Sequence, residues 1–314
     1  MLPYLILSYI SVSYVIVLYI SAREAENFKI KRDDPKVIKH RMEMLCKIML
    51  LNLFVLPFLQ TTFAKVSPSF GDAFLNLGLI PGHYIAGHWD IKQYLKDILK
   101  VILLINLLYI GPVLDGLLYY VFTNGKTLKS DIIELFGNIW GVRNYIFAPI
   151  TEELFYTSML LTTYLSFYSL NELSLDKLLW ETSLFFGLAH AHHAYESFHE
   201  GVYSKLNILM STLFQVLYTT LFGALTNYVF IATGGNLWAC IFLHMFCNIM
   251  GFPGKSTFIF HFTIMENNNN NNAALQRLLR LWETSYLGLL VLGIIVFIKN
   301  FKFLIGTDLY GISF

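Results

Sequence analysis

The chain has 314 residues, of which 56% are hydrophobic, 16% aromatic and only 14% charged, whereas soluble domains run near one quarter charged. A mean hydropathy of +0.56 excludes a soluble globular domain and a disordered chain and leaves an integral membrane protein. The net charge of +1 supplies no basic field for nucleic acid, and Cys46, Cys240 and Cys247 have neither disulfide-framework nor zinc-knuckle spacing.

A membrane-spanning helix needs about 20 mostly apolar residues, because its backbone polar groups must be satisfied inside the helix. Eight stretches meet that rule in chain order: 3–20, 47–64, 98–122, 149–170, 178–194, 206–232, 235–252 and 283–300. The first has no basic residue before Arg23 and no small-residue cleavage pattern, so it reads as a span rather than a signal peptide. The segment 70–94 is interrupted by Gly78, Pro81 and Gly82 and reads as a surface-lying or re-entrant piece. The six asparagines Asn267 to Asn272 read as a flexible insertion in the last connecting loop. With no internal repeat and no separable soluble stretch, residues 1–314 form one domain: an all-α, polytopic membrane protein with about eight transmembrane helices.

Orientation follows from Lys and Arg. Fifteen of the 22 fall in the odd-numbered loops, eight of them in the first (Arg23, Lys29, Lys31, Arg32, Lys36, Lys39, Arg41 and Lys47). Those loops are expected to face the cytosol, with both termini on the opposite side.

An ionisable group inside a bilayer costs about 2.5–3.5 kcal/mol on insertion scales, which makes each one a functional candidate. Glu152 and Glu153 follow Pro149 in the first turn of the fourth span, where the helix dipole tolerates negative charge. His190, His192, His193 and Glu196 lie at the end of the fifth span, and His244 and Asn248 share one face of the seventh. Asp115, just after Gly111-Pro112 in the third span, reads as a packing partner, and His192 and His193 as interfacial groups. The loop charges bring Glu152, His190, His244 and Asn248 to one depth near the cytosolic side. Neighbours on a helix point about 100° apart, so only one of Glu152 and Glu153 is expected to address the site directly.

A carboxylate withdrawn from water is a stronger base, so Glu152 with His190 can hold and deprotonate an attacking water. His244 and Asn248 can donate hydrogen bonds to the oxyanion of a tetrahedral intermediate. No G-x-S-x-G nucleophile elbow competes with that reading. Two other arrangements use the same residues. Glu152, His190 and His244 form a donor set that suits catalytic zinc, though H-E-x-x-H is missing and Asn248 would lack a role. A proton or ion path in a transporter is the second, but the chain has no repeated halves. A non-catalytic scaffold leaves the cost of burying Glu152 and His190 unexplained.

Glu152-Glu153, Phe186-x-x-x-His190 and His244-x-x-x-Asn248, in this order on separate spans, resemble the three motifs of the CAAX-protease and bacteriocin-processing family of intramembrane proteases. "FAPITEELFYTSMLLTTYL", "SLFFGLAHAHHAYE", "GGNLW" and "HMFCNIMGFPG" resemble its eukaryotic, fungal-type prenyl-protease branch, and the likeness runs over nearly the whole chain. The resemblance implies a cofactor-free endoprotease of the endoplasmic reticulum membrane that removes the aaX tripeptide from farnesylated or geranylgeranylated CaaX proteins, such as Ras-type GTPases and pheromone precursors. It implies water activation by Glu152 and His190, an oxyanion hole from His244 and Asn248, and importance without a settled role for Glu153. One departure stands out: the wider motif E-E-x-x-x-R has Thr157 in place of its arginine. Arg143, near the cytosolic start of the fourth span, is the candidate for binding the substrate's free carboxylate. An apolar cleft for the isoprenoid is expected beside the polar pocket.

Overall fold

The computed structural model describes residues 2–27, 33–64, 69–122, 124–168, 174–200, 203–252 and 273–306, so the asparagine run 267–272 lies outside the described residues. Among the described residues the regular structure is helical. In chain order the helices are α1 (Leu2–Asn27), α2 (Pro35–Phe63), α3 (Phe70–Leu75), α4 (Ile91–Leu108), α5 (Ile110–Phe122) and α6 (Leu128–Phe136). A continuous helical run over 139–167, here α7, is followed by α8 (Leu175–Ala189), α9 (His192–Glu200), α10 (Lys205–Ala232), α11 (Leu237–Met250) and α12 (Ala273–Ile305).

Short polar side chains set the starts. Asp34 accepts a hydrogen bond from the Lys36 amide at 2.8 Å with Pro35 in the first turn, and Asp90, Ser174, Ser204 and Asn236 cap α4, α8, α10 and α11 in the same way.

Among the described residues four helices are long and apolar enough to cross a membrane, namely Leu2–Ser21, Pro35–Phe63, Lys205–Ala232 and Leu281–Ile305. Their outer faces are inverted relative to a soluble protein. Leu206, Leu209, Leu213, Leu217 and Leu221 make a helical stripe on α10 in which every side chain is more than half exposed, and Val291, Ile294 and Ile298 do the same on α12. Such a surface is stable only against lipid.

The remaining expected spans take other forms. The stretch 98–122 is not one straight helix: α4 and α5 meet at Tyr109 with a bend of 86°, just before Gly111-Pro112, where the proline has no amide hydrogen to continue the helical ladder. The stretch 149–170 lies in α7 as far as residue 167, and α7 alternates α turns with two π turns, Val142–Phe147 and Glu153–Met159. Leu154, Phe155, Met159, Leu160, Leu161 and Tyr164 are fully buried, so α7 is the centre of the bundle and not a lipid-facing element. The stretches 178–194 and 235–252 overlap α8 and α11, of 15 and 14 residues. At 1.5 Å per residue these reach only about 21–23 Å, less than a hydrocarbon core of about 30 Å. The polytopic all-α architecture therefore consists of long outer helices around short or broken inner ones.

Two further expectations shift. The first basic cluster is not all loop, because α2 starts at Pro35 and carries Lys36, Lys39, Arg41 and Lys47 on its first turns. The segment 70–94 folds inward: Leu77 and Tyr84 are fully buried, and the Ile85 amide donates to Gly234 O at 2.9 Å, beside the turn between α10 and α11.

Buried polar side chains tie the helices together, as is common where no water competes. Tyr14 on α1 meets Thr151 at 3.2 Å, and Asn227 on α10 donates to Thr182 on α8 at 2.8 Å. Buried Asp115 accepts from Trp282 Nε1 at 2.6 Å, which joins α5 to α12 and keeps Asp115 away from Glu152 and Glu153.

Candidate active site

Glu152 ends the short α turn Ala148–Glu152, which is bracketed by the two π turns of α7. π turns insert a residue into a helix and recur at functional sites. Here Glu152 lines a cavity of about 240 Å³ while Glu153, 2% exposed, is turned away towards α11.

His244, one of the most buried polar groups on α11, stands between the two glutamates. Its Nδ1 donates to Glu153 Oε1 at 2.7 Å, and its Nε2 lies 3.8 Å from Glu152 Oε2. Thr157, one turn after Glu153, donates to the other carboxylate oxygen, Oε2, at 2.7 Å, and its own oxygen is 3.1 Å from Thr226 Oγ1 on α10. The position where the wider motif has an arginine is thus a buried hydroxyl that holds Glu153. One carboxylate fixes the imidazole while the other meets its free nitrogen.

His190 lines the same cavity as Glu152. It follows the last turn of α8, and its Nδ1 bonds Phe186 O at 2.9 Å. A carbonyl only accepts, so Nδ1 carries the hydrogen and a neutral ring keeps its lone pair on Nε2. The ring stands edge-on to Phe186, with centroids 4.7 Å apart, and Phe222 packs on His244 at 4.8 Å. Close contact between α8 and α10 places this aromatic wall. A Cβ on Gly187 would collide with Thr220 Oγ1 and lie 2.8 Å from Val216 O, and one on Gly223 would lie 3.0 Å from Ser183 Cβ and 3.3 Å from Phe186 Cδ1.

Asn248 sits one turn beyond His244 but does not line the cavity. Its Nδ2 donates to the backbone oxygen of Asn144 at 3.0 Å, on the first π turn. Arg143, beside Asn144, does line the cavity; its Nη1 pairs with exposed Asp33 at 2.9 Å and its Nε donates to Asn144 Oδ1 at 2.8 Å. The structure thus hydrogen-bonds Glu153 to His244 with Glu152 3.8 Å away, sets Glu152, His190 and Arg143 on one cavity, and leaves Asn248 off it.

His192 and His193, read from the sequence as interfacial groups, line the cavity too. Tyr14, Arg41 and Tyr156 are further lining residues that the sequence did not single out. Among the described residues, no three His, Cys, Asp or Glu side chains are disposed to hold one metal ion. Beside the site, a second cleft of about 680 Å³ runs between α5, α6 and α11, lined by Val113, Leu117, Tyr120, Trp140, Phe246 and Ile249 among others, and Asn144 borders both spaces.

The sequence profile of a family described as "Type II CAAX prenyl endopeptidase Rce1-like" matches residues 135–250, a segment that holds Arg143, Glu152, Glu153, His190, His244 and Asn248. CAAX prenyl protease 2 of Saccharomyces cerevisiae is 48% identical over 314 residues, covering 99% of this chain and 98% of that protein. The human CAAX prenyl protease 2 is 31% identical over 258 residues, 79% of this chain and 70% of the relative. A probable CAAX prenyl protease 2 of Schizosaccharomyces pombe is 30% identical over 253 residues, 80% of this chain and 81% of the relative. No solved structure matches the chain.

Proposed function

The chain belongs to the Rce1-like family of type II CAAX prenyl endopeptidases, and from that premise we propose that it removes the aaX tripeptide from prenylated CaaX proteins with a water molecule activated by Glu152 and His190. The observation that carries this reading is the cluster itself: Glu152 and His190 on one cavity, with His244 Nε2 3.8 Å from the Glu152 carboxylate.

In the proposed reaction, Glu152 takes a proton from water while His190 Nε2 accepts its second hydrogen bond. The hydroxide oxygen forms a bond to the scissile carbonyl carbon. The resulting oxyanion is met by His244 Nε2 and, once the substrate displaces the cavity wall at Asn144, by the second amide hydrogen of Asn248, whose first is used on Asn144 O. With Nδ1–H committed to Glu153, the donor role needs a hydrogen on both ring nitrogens of His244, and the two flanking carboxylates balance that charge. Collapse breaks the C–N bond, and the proton on Glu152 passes to the departing amine. Arg143, on the cavity wall, binds the free carboxylate of the substrate.

The substrates are farnesylated or geranylgeranylated proteins, Ras-type GTPases and pheromone precursors among them, and the site faces the cytosol from the endoplasmic reticulum membrane. A prenyl chain partitions into lipid at about 0.8 kcal/mol per buried CH₂. It therefore delivers the adjacent scissile bond to the edge of the bilayer, the depth that the loop charges assign to the cluster.

The test is mass spectrometry of a farnesylated CaaX peptide incubated with the purified protein, with and without a zinc chelator. Release of an intact tripeptide that survives chelation is the expected result. Release abolished by the chelator and restored by zinc would transfer the chemistry to a metal, and no release by a folded sample would refute the assignment.

A further inference from the structure

The cavity that holds Glu152 and His190 is lined by two arginines, Arg143 and Arg41, from different parts of the fold. Arg143 comes from the first π turn of α7. Arg41 comes from α2, where Ile38, Arg41, Met42 and Leu45 all line the cavity at spacings of i, i+3, i+4 and i+7, so that one helical face forms the wall. Three of those four side chains are apolar, and the guanidinium is the exception.

The geometry points to Arg41, together with Arg143, as a carboxylate-binding subsite that holds the C-terminal carboxylate of the substrate and thereby sets which bond reaches Glu152. This inference rests on the proposed endoprotease reading. A guanidinium presents a planar fork that matches a carboxylate, which a lysine does not. The structure already contains one such pairing at this wall, since Arg143 Nη1 holds the Asp33 carboxylate at 2.9 Å. Asp33 is 68% exposed, so that pair is weak and exchangeable. An incoming terminal carboxylate can take its place.

The chemistry needs such a group. An enzyme that releases a tripeptide must find a bond three residues from the chain end, and three extended residues span at most about 11 Å. A cation and a water-activating carboxylate that line the same cavity of about 240 Å³ would hold the chain end and the scissile bond within one such span of each other. Side-chain pockets alone would accept longer tails.

The experiment uses the full-length protein in detergent and two farnesylated CaaX peptides, one ending in a free acid and one in a carboxamide. For the wild type, KM is expected to be about 10- to 100-fold higher for the amide, the worth of about one charge-assisted hydrogen bond, while kcat changes little. In Arg41→Gln the acid KM should rise by a similar factor, so that the amide-to-acid ratio falls towards one. In Arg41→Lys, which keeps the charge and loses the fork, the ratio should fall part of the way.

A wild-type ratio near one, or a ratio in Arg41→Gln equal to that of the wild type, would overturn the subsite while leaving the endoprotease standing. Should Arg41→Gln fail to accumulate, an unchanged acid KM in Arg41→Lys would overturn it equally. Cleavage of neither peptide by the folded wild type would instead refute the endoprotease reading, and the subsite with it.

Discussion

Replacing Glu153 by glutamine tests the division of labour between the two adjacent glutamates. The carboxylate receives Nδ1–H of His244 and the hydroxyl of Thr157, both at 2.7 Å, in a position only 2% exposed. Gln keeps the shape but removes the charge and one of the two accepting oxygens: with its carbonyl oxygen on Nδ1–H of His244, its NH2 faces Thr157, whose hydroxyl oxygen must then accept instead of donate. Charge-assisted hydrogen bonds contribute about 1.5–3 kcal/mol and are roughly twice as strong as neutral ones, so the bond to His244 weakens by about 0.75–1.5 kcal/mol. Only that bond is coupled to the developing oxyanion. At about 1.4 kcal/mol per tenfold, kcat should therefore fall roughly 3- to 12-fold, with KM nearly unchanged. Glu153→Ala removes both bonds and leaves a buried imidazole N–H without an acceptor, and should lose about 100-fold or more. Tripeptide release measured on the purified protein gives both constants, and immunoblots of membranes show whether each variant accumulates. Glu152→Gln, by contrast, should fall to background. If Glu153→Gln were as inactive as Glu152→Gln, Glu153 would be a proton acceptor in its own right. A wild-type kcat would show that His244 needs no anchor, and either result would refute the reasoning.

Thr157→Val should lower kcat less than Glu153→Gln does, about 2- to 3-fold, because the lost bond only positions the Glu153 carboxylate and reaches the oxyanion through His244, and Thr157→Ser should restore it; failure of Ser to rescue would remove the hydroxyl from the argument. Asn248→Ala should cost about 100-fold or more in kcat while leaving residual turnover, as expected for one oxyanion donor, and steady-state kinetics with an unaltered kcat would exclude that role. Gly187→Ala forces α8 from α10 and should destabilise the fold by about 1–3 kcal/mol, seen as a lower thermal midpoint in detergent. Adding Thr220→Ala should recover only part of that loss, because Val216 O remains 2.8 Å from the new methyl group; full recovery would mean that the backbone contact is soft.

How far the molecule is legible in its sequence depends on the range of the interaction. Uninterrupted apolar runs reveal α1, α2, α10 and α12, since a span of about 20 apolar residues has few alternatives. The Gly111-Pro112 break marks the third span as irregular, but the 86° angle depends on what packs against it. Glu152, Glu153, His190 and His244 stand out because charge in an apolar run is costly. Their wiring does not, because Glu153 and His244 are 91 residues apart and only packing brings them to 2.7 Å. The π turns carry no residue signature, so the sequence alone implies a regular 100° step across Glu152-Glu153. Arg41 escapes a sequence reading for a different reason: it sits in a basic cluster whose charge orients the chain and which reads as loop. Asp34-Pro35, a cap followed by a first-turn proline, is the available sign that α2 begins there. The pairing of Arg143 with Asp33, 110 residues apart, has no local trace.

The two π turns that bracket Ala148–Glu152 make the helix a device whose output depends on phase. Each turn closes its hydrogen bonds one residue further along than an α turn, so each holds one residue in excess of a regular helix. Removal of a single residue from Val142–Phe147 would let that turn close to α geometry with the segments on either side nearly in phase, so Glu152 and Glu153 would keep their bearing on His244 while the wide turn that carries Arg143 and Asn144 along the cavity wall was lost. Removal from Ala148–Glu152, which has no residue to spare, would turn everything before it by about 100° against everything after it. In this helix the damage done by a deletion depends on whether the turn that loses the residue has one in excess.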